Sequence, residues 1–153
     1  MAPKSPVSPQ AQLKLFIGKF TPEMGTKIRA ARSAMRRLLP GALELVYDNY
    51  NFFVIGYGPS ERTSEAVFSL AAQASGLTLF FLQGVGLPDP GRLLKGAGNK
   101  VRSVKLMDAA DLKSPALKSL MQTACKRAKV PLTEGGRHRL IIKSVSAKQR
   151  PRR

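Results

Sequence analysis

The stretch ALELVYDNYNFFVIGYG, residues 42–58, is where the periodicity of the chain changes. Leu43, Leu45 and Tyr47 alternate with Glu44, Val46 and Asp48, a period of two that belongs to a strand. Asn49–Asn51 is polar and turn-forming, and FFVIGYG follows as a second apolar run, so two neighbouring strands are predicted. Upstream the period is helical. Thr21 is placed to cap a helix, with Pro22 at its first position and Glu23 at its positive end. Met24, Ile28, Ala31, Met35 and Leu38 then recur as one apolar stripe, flanked by Arg29, Arg32 and Arg36, until LPG at 39–41 stops the helix.

Downstream, AVFSLAAQ and LTLFFLQ read as a second strand pair around the turn ASG at 74–76, and KVRSVKL at 100–106 as a fifth strand. GRLLKG is expected to form one helical turn. A second clear helix follows, with Ser114 as cap, Pro115 at the first position, and Leu117, Leu120, Met121, Ala124 and Ala128 on its apolar face. GGRHRLIIKSV has strand character ahead of the basic end. Consecutive strands with short turns between two helices imply an α+β domain: an antiparallel sheet of about five strands with an N-terminal and a C-terminal helix on one face. The expected division is a loosely ordered leader over 1–19, rich in Pro, Ser and Gln at its start, a domain over 20–130, and a basic C-terminal extension over 131–153.

Lys and Arg number 26 against nine acids, a formal charge of +17. The charge is uneven: residues 1–39 carry +7, residues 40–112 carry −1 and residues 113–153 carry +11. Such an excess points to a polyanionic partner: nucleic acid, an anionic membrane surface or an acidic protein. One cysteine, Cys125, allows no internal disulfide and is compatible with a reducing cytoplasm, and no stretch reaches the length of a membrane span.

The chemistry-bearing motifs are few. Gly84-Val-Gly86 and Gly96-Ala-Gly98 lack the extension of a dinucleotide or phosphate loop. They read as turns, with a small anion nest beside Lys95, Lys100 and Arg102 as the alternative. One histidine, His138, excludes the usual Cys/His zinc spacings, and no serine sits in a nucleophile elbow. Hence no cofactor and no metal are expected. Glu44 and Asp48 share a strand face and are expected to be solvated. The densest polar and aromatic segment supplies a candidate ligand pocket of Asp48, Asn49, Tyr50, Asn51 and Tyr57. The candidate polyanion-binding set is Arg29, Arg32, Arg36, Lys100, Arg102, Lys143, Lys148, Arg150, Arg152 and Arg153. Without a recognition motif, its contacts with nucleic acid would be to phosphates and non-specific.

Three segments, LPGALELVYDNYNFFVIGYGPSER, AVFSLAAQASGLTLFFLQG and LLKGAGNKVRSVKLMDAADLKSPALKSLM, resemble the YdhG-like family, a domain of unknown function. The resemblance covers roughly residues 22–129 and implies a small cytoplasmic bacterial α+β domain. Some members of that family are described as frataxin-like iron chaperones, a role that uses exposed acidic ridges, which nine acids do not supply here. The expected function is a non-enzymatic binding domain with polyanion-binding ends. The alternatives are an iron-handling chaperone and an enzyme with a pocket around residues 47–57.

Overall fold

The computed structural model describes residues 7–132 and 138–153. Its elements run α1 (Pro9–Gly18), α2 (Pro22–Leu38), β1 (Leu43–Asp48), β2 (Phe53–Gly58), β3 (Phe68–Gln73), β4 (Gly76–Phe81), β5 (Arg102–Leu106), α3 (Pro115–Arg127) and β6 (Leu140–Val145). The expected helix caps form as read. The Thr21 hydroxyl accepts from the Met24 amide at 3.2 Å, and the Ser114 hydroxyl accepts from the Leu117 amide at 3.2 Å.

The fold is α+β, with one six-stranded sheet in the order β5-β4-β3-β2-β1-β6. β1 to β5 form an antiparallel meander, in register from Asp48 opposite Phe53 through to Leu77 opposite Leu106. β6 departs from the expected antiparallel sheet of five strands. It adds a sixth strand beside β1 and runs parallel to it. β5 and β6 therefore point the same way, which requires a crossover, and α3 lies in it.

All three helices cover the same face of the sheet. Val46, Ile55, Leu70 and Leu79 lie side by side across β1 to β4, and join Phe16 of α1, Met35 of α2 and Leu120 of α3 in one core. In the first GxG motif Gly86 takes a φ of 83°, and Gly84 serves packing. A Cβ on Gly84 would lie 2.6 Å from the Arg102 Cβ, so only glycine lets that turn close on β5. GRLLKG forms no helical turn; instead the Asp89 carboxylate accepts from the amides of Leu93 and Leu94.

The leader is a second correction. Residues 9–18 form a helix whose Leu13, Phe16 and Ile17 are buried, and Phe16 packs against Phe53 with ring centroids 6.3 Å apart. Ordering this segment is offset by apolar burial on the sheet, which its Pro/Ser-rich start conceals. The basic C-terminal segment likewise belongs to the folded domain: β6 completes the sheet, and Arg152 is only 5% exposed.

Candidate functional site

Glu44 and Asp48 do not face solvent. Both lie on the helix-covered side of β1, 1% and 0% exposed. Four residues of strand, about 13 Å, separate them, and each carries its own set of cations.

Glu44 is held by α2. Arg32 forks onto it, Nε to Oε2 at 2.9 Å and Nη2 to Oε1 at 2.8 Å, and the Tyr57 hydroxyl donates to Oε2 at 2.9 Å. Burial is the largest influence on Arg32 and works against its charge, but the hydrogen bond and the charge of Glu44 leave its pKa raised. Burial first, then the Glu44 charge and hydrogen bond, hold the Tyr57 phenol well above 10. Tyr57, expected to line a pocket with the 48–51 turn, is thus a core residue at the other end of the strand.

Asp48 is held by the chain ends. Lys19, just past α1, donates to Oδ2 at 2.7 Å, and Arg152 donates through Nη2 to Oδ1 at 3.0 Å and to the Asn49 carbonyl at 2.6 Å. The Arg152 guanidinium lies 5.9 Å from the centroid of the Phe20 ring. Gln149 donates to the Asp48 carbonyl, Arg150 donates to the Asn51 side chain and lies over Tyr50, and Arg153 donates to the carbonyls of Gly18 and Lys19. Ser144 donates to the Asn49 side chain. The two candidate sites read from the sequence, the 48–51 turn and the basic tail, are therefore partners of each other. Asp48, Asn49, Tyr50 and Asn51 are occupied by the tail: Arg150 and Arg152 act as a clamp on the turn, and Arg153 holds the end of α1.

The remaining candidates do not form one surface. Lys143 is the extra residue of a bulge in β6 and donates to the Glu61 carbonyl, beside the Arg139–Glu61 ion pair. Arg102 folds back onto the carbonyls of Gly98 and Val101, Lys100 lies next to α3, and Lys148 is exposed.

What the fold does assemble is a groove of about 500 Å³ along α2, lined by Arg29, Arg32, Ser33, Arg36, Arg37 and His138. Three of the four arginines were legible from helical spacing. Arg37 and Ser33 follow at the same spacing and were legible in principle, whereas His138 reaches the groove only through the placement of β6. Arg32 is neutralised by Glu44, and Arg36 lies 3.8 Å from it with a buried, unpaired Nε. Arg29 and Arg37 are exposed and have no carboxylate partner among the described residues. Among the described residues, four arginines against one carboxylate leave three positive charges in the groove. Several of the other acids are engaged locally: Asp108 and Asp111 form a capping box, Asp89 accepts from backbone amides, Glu65 accepts from Ser60, and Glu61 pairs with Arg139. The surface cations are left with little local compensation.

Among the described residues, no three His, Cys, Asp or Glu side chains converge into a metal-binding group. Cys125 is half-buried on α3, where desolvation raises its pKa, and His138 stands in the α2 groove. No helix of the described residues is long and apolar enough to cross a membrane. No family model, curated protein or solved structure matches this chain.

Proposed function

We propose that this protein is a non-enzymatic binding domain of YdhG-like kind whose ligand is a polyanion, gripped along the exposed face of α2. The observation that carries the reading is the groove: Arg29 and Arg37 stand open on it without carboxylate partners among the described residues, and Arg36 is only loosely engaged. Rows of arginines three and four residues apart on one helix match a phosphate backbone, with guanidinium forks suited to phosphate oxygens. Arg32 positions the row by anchoring α2 to Glu44. Contacts of this type neutralise phosphates and release counterions, so binding is tight at low salt, falls steeply as salt rises, and discriminates little between sequences. The ligand is single- or double-stranded nucleic acid, bound through its backbone.

This reading moves the grip away from the C-terminal arginines, which are engaged with Asp48, Asn49, Asn51 and α1. The iron-handling alternative is weakened by the same geometry, because Glu44 and Asp48 are already paired with cations.

The test is a salt-series anisotropy titration with labelled oligonucleotides. Reversing Arg29 and Arg37 to Glu should weaken binding strongly and make the salt dependence shallower by about two units of log–log slope, one for each lost phosphate contact. Reversing Lys148 and Arg150 should have a smaller effect. The reading fails if the two pairs of variants weaken binding equally, or if only the second pair does.

A further inference from the structure

α3 changes character along its length. Leu117, Leu120 and Met121 fill the space against the sheet, but toward the 62–67 segment the last turn and the cap present only the small apolar side chains of Ala124 and Ala128. The layer thins there, and a cavity of about 520 Å³ opens between the end of α3, the 62–67 segment and the end of β4. Its size is that of a small-molecule site. Its floor is apolar and fixed: Val67, Phe81 and Ala124 are 7%, 1% and 8% exposed, and Phe68 braces Phe81 edge-on at 5.2 Å. Its rim is cationic: among the described residues Arg62, Lys100, Arg127 and Lys129 face a single carboxylate, Glu65, which accepts from Ser60. Arg127 is oriented by donating to the Gly86 carbonyl at 2.8 Å. The C-terminal end of α3 adds roughly half a negative charge, which four cations outweigh.

We propose that this cavity binds a small amphipathic organic anion, its apolar body on Val67, Phe81 and Ala124 and its charged group at Lys100 and Lys129. An apolar floor desolvates the body of such a ligand, and the rim supplies charge-assisted contacts that a neutral ligand does not use. A nucleic-acid backbone fits the site poorly, because it has no apolar body to place on the floor. The site lies on α3, so it stands or falls independently of the α2 groove.

The probe is anilinonaphthalene sulfonate, a rigid aromatic monoanion, titrated by fluorescence into the full chain and mapped by amide chemical shifts. Saturable binding is expected, with the largest shifts at Val67, Phe81 and Ala124. Ala124→Leu, which fills the cavity, and the exposed pair Lys100→Glu/Lys129→Glu should each weaken it by about tenfold or more. Reversal of Arg29 and Arg37 should leave it unchanged. If Ala124→Leu fails to fold, the charge-reversal pair decides alone, since both residues are exposed. Non-saturable binding, shifts centred elsewhere, or an affinity within about twofold of wild type in the folded charge-reversal variant would overturn the proposal.

Discussion

Replacing Asp48 by Asn should cost far more stability than replacing its partner Arg152 by Met, although the two form one ion pair. Asp48 is fully buried, with Lys19 at 2.7 Å and Arg152 at 3.0 Å. Arg152 regains part of its desolvation cost from that carboxylate, from the Asn49 carbonyl at 2.6 Å and from the face of Phe20. Its Nε and Nη1, however, are buried without a partner, and each unsatisfied donor costs about 1–3 kcal/mol. Arg152→Met therefore removes a favourable pair and two penalties together, while Lys19 still neutralises Asp48. A net loss of about 1–2 kcal/mol is expected. Asp48→Asn leaves the guanidinium charge buried, with the Asn49 carbonyl as its remaining strong acceptor, and should cost about 3–5 kcal/mol. The double variant should be more stable than the sum of the singles implies, by about 2 kcal/mol. Urea denaturation of the four proteins gives these values, provided the slopes agree. Equal costs for the two single variants, or additivity within about 0.5 kcal/mol, would refute the picture of a clamp that carries an internal burden.

Other expectations follow from the same geometry. Arg32→Ala should destabilise the protein by about 3–5 kcal/mol by stranding buried Glu44, whereas Arg37→Ala should change stability by less than about 0.5 kcal/mol and act on binding alone. Thermal melts beside binding titrations separate the two. Phe16→Ala should cost about 3–5 kcal/mol, because Phe16 is buried against Phe53; a near-neutral result would return residues 9–18 to a loose leader. Burial and the Glu44 charge keep the Tyr57 phenol neutral in the fold, while the unfolded chain ionises near about 10. The stability contributed by this group is whole below that pH and is lost as pH rises toward the higher folded value. Tyr57→Phe should therefore show a shallower decline above pH about 10 than wild type, measured by denaturation at stepped alkaline pH.

Local signals account for much of this fold. Thr21-Pro22 and Ser114-Pro115 announce two helices, and the same signature, Ser8-Pro9, announces the third: the Ser8 hydroxyl accepts from the Ala11 amide at 3.2 Å. The Pro, Ser and Gln composition at the start of the chain masks that cap. The alternation in 43–48 gives β1 correctly, but not which of its faces is covered, because Glu44 and Asp48 share their face with Val46. Carboxylates are buried only when cations meet them: Arg32, 12 residues away, meets Glu44, while Lys19, 29 residues away, and Arg152, 104 residues away, meet Asp48. Arg32 is within reach of a local reading; Arg152 is not. The parallel seat of β6 is likewise a long-range outcome, and it brings His138 to the groove and the tail to the 48–51 turn. An arginine-rich segment looks the same in sequence whether it serves solvent, phosphate or a buried aspartate.

The central claim, that α2 and not the C-terminal tail grips a polyanion, is tested most directly by amide chemical-shift mapping with a short single-stranded oligonucleotide at near-physiological salt. The account predicts perturbations concentrated on residues 26–37 and at His138, with the Asp48–Asn51 turn and residues 149–153 unmoved. Perturbations centred on the tail with α2 silent, or none at that salt, would contradict it.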